Sequence, residues 1–290
     1  MHCMHQWSMK IIVHGASGAQ GAPVVAALQA KGLSPLAAVR DPSTYKGVGA
    51  SVAVDLATAE SLATAYTGAD AIFVHLPVGP AEIQLLHAKA IIEAVRQARP
   101  SRVVLSTSGS SVGANGSDAS PIDTLINGLR ETDVSLAVVA TKLYLENLFL
   151  PTVTSGVGEE GILRYPIRDD YAVSWSSHLD VADVVARLIQ DGSVNGVVEV
   201  GALPGLVGSD LATGFASHLG KEVIFEPQSP DAFAVAITPL FGEAAATPVV
   251  DSYRWRATQP HELISNATSA QTQLGLTPRT VANWLRDASA

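Results

Sequence analysis

Residues 10–21 read KIIVHGASGAQG. An apolar run of strand length gives way to three glycines, Gly15, Gly18 and Gly21, in a G-x-x-G-x-x-G spacing. A helix-period stretch, residues 19–31, follows directly. A strand, a glycine turn and a helix in that order form the context in which such a spacing binds a dinucleotide. The first glycine lets the chain turn sharply. The second lets a pyrophosphate approach the backbone, and the third lets the helix pack close to the strand. Free N–H groups at the helix start then face the anion. Gly15, Ser17, Gly18, Ala19, Gln20 and Gly21 are therefore the candidate phosphate-binding residues. A tight structural turn is the competing reading of the same glycines.

Outward from this loop, short apolar runs alternate with helical stretches. Strands are expected at residues 10–14, 35–40, 51–54, 71–75, 102–106 and 134–140. Helices are expected at 19–31, 59–66, 80–98 and 122–131. Val-, Ile- and Ala-rich strands separated by helices predict a doubly wound parallel Rossmann sheet with helices on both faces. Gly32 should close the first helix, Thr58 should cap the second, and Pro80 suits the first turn of the third. After residue 150 Gly and Pro become frequent. Strands are expected at 161–165, 171–175 and 197–200, and helices at 180–190, 209–219 and 231–240. The tail LGLTPRTVANWLRDASA reads as an amphipathic helix started by its proline. This divides the chain into a nucleotide-binding domain over 9–150 and a smaller α/β substrate lobe over 151–290. The lobe is interleaved with the first domain and packs on the carboxyl ends of its sheet.

The chain has 290 residues, 47% hydrophobic and 16% charged, with a net charge of −9. That composition excludes disorder and supports a large core. No apolar run reaches the length of a spanning helix. The negative charge argues against nucleic acid or an anionic membrane as the main partner. Cys3 is the single cysteine, which excludes an intrachain disulfide and reads as a reducing cytoplasm. Residues 1–8, MHCMHQWS, read as an extension ahead of the periodic sequence. His2, Cys3 and His5 are metal ligands by type but lack a fourth, and no metal site is expected.

Three further strand ends carry candidates. After the second strand, AAVRDPS places Arg40 where a planar cation meets a 2′-phosphate, which favours NADP(H) over NAD(H). Asp41 could pair with Arg40 or serve a ribose hydroxyl, a solvated Arg–Asp turn is the plainer alternative, and Lys46 adds charge nearby. Asp55 and Leu56 end the third strand, where they can meet an adenine. Leu76 and Pro77 end the fourth, near the path of a nicotinamide ribose. His75, His87 and His178 lack the spacing of a metal site and read as satisfied histidines.

The runs IIVHGASGAQGAPVVAALQAKG, AAVRDP and VDLATAESLATAYTGADAIFVHLP, with LYLEN at 143–147, SWSSHLDVADVVARLI and LGLTPRTVANWL, resemble atypical short-chain dehydrogenases/reductases. Within that superfamily the chain resembles the NmrA-like branch, which holds quinone and triphenylmethane reductases as well as regulators that sense a cofactor. The resemblance implies NADP(H) binding and a small-molecule substrate, and it leaves a homodimer open. It also implies a substrate-facing hydroxyl after the fifth strand, which Thr107 and Ser108 supply.

The superfamily's Tyr-x-x-x-Lys pair is absent. The residues four positions after Tyr45, Tyr66, Tyr144, Tyr165, Tyr171 and Tyr253 are Gly49, Asp70, Leu148, Asp169, Trp175 and Ala257. Lys142 and Tyr144 follow the sixth strand and are the candidate catalytic residues. Lys142 can donate a proton if desolvated, or can pack its stem and extend its head to water. Tyr144 reads as a pocket wall, and Glu146 and Asn147 as structural. Without the usual acid, the expected reaction is hydride transfer to a quinone, enone or iminium-type acceptor. A non-catalytic NAD(P)-sensing regulator that binds a protein partner is the alternative.

Overall fold

The structure is a computed structural model that describes residues 9–113 and 120–289. The terminal stretch with His2, Cys3 and His5 lies outside the described residues. In chain order the elements are β1 (Ile11–His14), α1 (Gly21–Ala30), β2 (Leu36–Val39), β3 (Ser51–Ala53), α2 (Ala59–Tyr66), β4 (Ala71–His75), α3 (Ala81–Ala98), β5 (Arg102–Ser106), α4 (Pro121–Arg130) and β6 (Ser135–Thr141). Then follow α5 (Pro151–Glu159), β7 (Ile162–Tyr165), α6 (His178–Gln190), β8 (Gly196–Val200), α7 (Gly208–Leu219), β9 (Ile224–Pro227), α8 (Pro230–Phe241), α9 (Glu243–Thr258), α10 (Ala270–Leu274) and α11 (Val281–Ala288). No described helix is long and apolar enough to cross a membrane.

The chain forms two compact units. Among the described residues, the first comprises 9–113, 120–140, 178–199 and 270–276; the second comprises 141–177, 200–269 and 277–289. Helix α6 and most of β8 return to the first unit, and β8 joins its sheet.

That sheet has seven strands in the order β3-β2-β1-β4-β5-β6-β8. Parallel registers join Ile12 to Leu36 and to Ile72, and carry on through Phe73–Val104 and Val104–Ala137. On one face Leu62 and Tyr66 of α2, Ile91 of α3 and Ile126 of α4 close on Ile12, Ile72, Val74 and Leu105. The alternate residues Ile11, Val13, Phe73 and Val104 are equally buried and point the other way, on the side where α1 and α6 pack together. The sheet is therefore covered on both faces, as a Rossmann fold requires. Strand order reverses between β1 and β4, and ligands of such sheets bind at the carboxyl ends beside that point.

In the second unit β7 pairs in parallel with β9, α7 packs on β9, α11 on α7, and α8 on α9. Its aromatic core sets Tyr165 against Trp175, Phe233 and Tyr253. A largely buried ion pair, Arg256 Nε to Glu262 Oε2 at 2.7 Å, borders it.

Several local expectations are corrected. Residues 171–175 form no strand; Val173 makes only isolated bridges to Leu206 and Glu262. The first helix starts at Gly21, not residue 19, because the glycine turn occupies the intervening positions. Thr58 stands at the start of α2, but its hydroxyl donates to Asp55 Oδ2 instead of accepting a helix N–H. Pro278 does not start the last helix; Thr280 does, its hydroxyl accepting the Asn283 N–H. Pro80 caps α3 from just outside it, and Gly32, at φ 75°, follows α1 as read.

Arg102 locks one edge of the first unit. It is 4% exposed, and its guanidinium donates to Ser135 Oγ, Asn195 Oδ1 and the Val194 carbonyl at 2.7, 3.1 and 2.7 Å. It thereby ties the starts of β5 and β6 to the turn before β8. Hydrogen bonds to charged groups are worth more than neutral ones, and truncation removes all three together. Arg102→Ala should cost about 2–4 kcal/mol in urea unfolding. A loss under about 0.5 kcal/mol, the size of an ordinary surface change, would show that this turn is held by other contacts.

Candidate functional site

The glycine loop is built by steric necessity. Gly15 adopts φ 59°, in the left-handed region, and a Cβ on it would strike the His75 ring. Gly18 donates its N–H to the Gly15 carbonyl at 2.8 Å. A Cβ on Gly21 would overlap the carbonyls of Gly15 and His14, so only glycine lets α1 begin this close to β1. Among the described residues the N–H groups of Ala19, Gln20 and Gly21 have no backbone acceptor. The first turn of α1 carries no acid. Ser17, Gly18 and Ala19 are exposed. The result is an open, positively polarised concavity of the kind that holds a pyrophosphate.

At the end of β2, Arg40 is exposed. Asp41 does not pair with it. The Asp41 carboxylate accepts the N–H and hydroxyl of Ser43 at 2.9 and 2.7 Å, capping a short turn, and these bonds hold its pKa below the usual range. Among the described residues Arg40 has no hydrogen-bonded partner, so its fork is available. Lys46 is exposed on the following loop. Asp55, after β3, accepts the Ala57 N–H and the Thr58 hydroxyl, each at 2.9 Å. Those bonds lower its pKa, with smaller contributions from His87 and Arg40. Leu56 packs half-buried against the core. Leu76, just after β4, is 7% exposed and its side chain belongs to the core. Only its backbone remains for a ligand. The Pro77 carbonyl accepts from Gln84 Nε2 at 2.8 Å.

The end of β5 is joined to the glycine loop. Ser106 Oγ donates to Gln20 Oε1 at 2.8 Å, and Gln20 Nε2 donates to Ser108 Oγ at 2.9 Å. The Gln20 side chain is thus turned to β5, a link that sequence spacing does not reveal. Thr107 is 1% exposed, and its hydroxyl has no partner among the described residues. A buried hydroxyl left open is an offer to a ligand or a water.

Of the three histidines read as satisfied, His75 and His87 each keep an open nitrogen. His14 Nε2 bonds the Tyr66 hydroxyl at 2.8 Å, but His14 Nδ1, His75 Nε2 and His87 Nδ1 have no partner among the described residues. His75 neighbours His14 and His178 electrostatically, whereas His87 acts on Asp55. Burial, then repulsion from His75, lowers His14 to about 3 and His178 to about 4. Burial lowers His75 too. Three neutral imidazoles therefore lie close together in the first unit. No described group of His, Cys, Asp or Glu could hold a metal ion.

Lys142 and Tyr144 lie in the second unit. Lys142 is half-buried. Tyr144 is 8% exposed, and its hydroxyl accepts from Thr141 Oγ1 at 2.9 Å. Glu146 Oε1 accepts the Trp284 indole N–H at 3.1 Å. Asn147 hydrogen-bonds Tyr165 and Tyr253, whose hydroxyls also bond each other. Both residues hold the second unit together.

The profile of the NmrA-like family matches residues 8–285. The chain belongs to the NmrA-like family. A curated relative, an NAD(P)H azoreductase of Xenophilus azovorans, is 27% identical over 222 residues, covering 73% of this chain and 75% of its own. Two solved structures share the fold. The triphenylmethane reductase of Citrobacter sp., complexed with NADP(H), has a TM-score of 0.73 at 16% identity, over 96% of this chain and 99% of that one. The NADPH-dependent quinone oxidoreductase of Escherichia coli, complexed with NADPH, has a TM-score of 0.71 at 18% identity, over 97% and 100%.

The neutral His14 makes stability depend on pH. Its folded pKa is depressed, so the unfolded state binds a proton that the folded state refuses. Its contribution is intact above the unfolded value of 6.5 and is lost as pH falls toward the folded value of about 3. Replacing His14 with Gln should flatten the decline in unfolding free energy between about pH 6 and pH 5 by about 1 kcal/mol per pH unit. An unchanged slope in paired urea titrations would show that His14 charges freely in the fold.

Proposed function

We propose that the chain is an NADP(H)-dependent reductase that passes hydride to a small conjugated electrophile: a quinone, an enone or an iminium-type cation. The azoreductase relative adds azo compounds to that class. The observation that carries the reading is the glycine loop at the end of β1, with the unpaired Arg40 fork at the neighbouring strand end. Bound NADPH would supply the hydride. In this reading the loop N–H groups hold the pyrophosphate and Arg40 selects the 2′-phosphate. The adenosine lies by Asp55 and Leu56. The backbone at Leu76 and Pro77 and the hydroxyls of Thr107 and Ser108 orient the reacting end. NAD(H) lacks the 2′-phosphate and is the poorer ligand.

Position, more than acid strength, would govern the rate. Helix α4 carries neither Tyr nor Lys, so the usual dyad has no seat there. Acceptors that spread the incoming charge need less protonation in the transition state, and holding the reacting atoms in line supplies much of the acceleration. Lys142 is the proposed proton donor or oxyanion anchor. Tyr144 is a wall, its ring 8% exposed.

Arg40→Ala should raise the NADPH dissociation constant about tenfold or more and change NADH binding less than about twofold, as fluorescence titration would read. Equal losses for both cofactors would make Arg40 structural. Tight NADPH binding without oxidation by any quinone, enone or azo dye would instead favour a cofactor-sensing regulator, which the missing dyad also suits.

A further inference from the structure

Three side chains at the ends of α1 and β5 close a ring. The Ser108 N–H donates to Ser106 Oγ at 3.2 Å, Ser106 Oγ donates to Gln20 Oε1, and Gln20 Nε2 donates to Ser108 Oγ. The direction of each bond follows from burial. Ser106 is fully buried, so its hydroxyl proton needs an acceptor, and Gln20 Oε1 is the one in place. If the Gln20 amide were flipped, Ser106 would accept two N–H groups and its own proton would be stranded. With the amide so fixed, Ser108 Oγ accepts from Gln20. Its own proton must leave the ring. Ser108 is half-buried at φ 53°, a conformation uncommon for a residue with a Cβ. It is followed by Gly109 at φ 85°.

We propose that Gln20 is a positioning residue. Its backbone belongs to the phosphate loop, while its side chain clamps the turn after β5 and compels Ser108 to present an O–H donor. The donor suits an acceptor oxygen or nitrogen of the reducible substrate, a quinone carbonyl or an azo group. Forming the cofactor loop and aiming the donor are then one event. The inference rests on the reductase reading and extends it to a residue whose side chain touches neither phosphate nor substrate.

The test is a double-mutant cycle with Gln20→Met, Ser108→Ala and the pair, using menadione as acceptor at saturating NADPH. Each single change should lower kcat about ten- to hundredfold, as loss of one aimed donor does. The pair should fall no further than the worse single variant. The NADPH dissociation constant of Gln20→Met should stay within about threefold, which also reports that the loop has folded. Hydrogen exchange at Ser108 and Ser110 should quicken in Gln20→Met alone of the two singles. Multiplicative losses in kcat, or a Gln20→Met protein with native kcat, would overturn the proposal. An unmodified protein that binds NADPH but never reduces menadione or an azo dye refutes the reductase reading and the donor role with it. The exchange rates then still decide whether Gln20 holds the turn.

Discussion

At Gly21 the first helix meets the end of the first strand with no room for a side chain. A Cβ there would overlap two carbonyls, those of His14 and Gly15. This contact sets the distance between α1 and β1 and places the helix's opening N–H groups beside the strand end. Gly15 can turn the chain into that contact because it occupies a left-handed conformation beneath which the His75 ring is packed. Much of the first unit follows. Strands β2 and β4 flank β1, so the anion-binding concavity opens where the strand order reverses.

The polar groups near this loop are kept uncharged or are satisfied by one another. His14, His75 and His178 are neutral because burial outweighs everything that would charge them. Gln20 and the serines satisfy one another. The exposed cation Arg40 stands apart from its neighbour Asp41, which is engaged by Ser43. Repulsive charge is thereby kept out of the base of the loop, while an unpaired fork stands on the second strand's end. The arrangement suits a ligand with a pyrophosphate and an additional phosphate.

Much of this was legible in the sequence. Ile11 to His14, Ala71 to His75 and Arg102 to Ser106 announce buried parallel strands by composition, and the glycine spacing marks the loop. Other elements carry little local signal. Helix α9 holds Pro248 inside it, and a proline within a run reads as a break. Strand β9 is four residues long and mostly exposed, so it shows no buried alternation. The run from Tyr171 to Trp175 has strand composition, but its neighbours offer single bridges in place of a ladder. Propensity cannot see partners. The Gln20 links span 86 and 88 positions, and the meeting of three histidines from β1, β4 and α6 is likewise a product of topology. Leu76 follows β4 with its side chain in the core, a packing that a strand-end position alone does not reveal.

The central claim is that the loop from Gly15 to Gly21 binds the dinucleotide through close backbone approach. Gly18 tests it cleanly. It is exposed and at ordinary φ, and a Cβ there would come no nearer than 3.2 Å to the Gly15 carbonyl oxygen. Gly18→Val fills the space the pyrophosphate needs, and its thermal unfolding, read beside binding, separates a lost site from a lost fold. Calorimetric titration with NADPH should show an affinity loss of about a hundredfold or more in the variant. A Gly18→Val protein that binds NADPH as tightly as the unmodified chain would contradict the account and move the cofactor elsewhere.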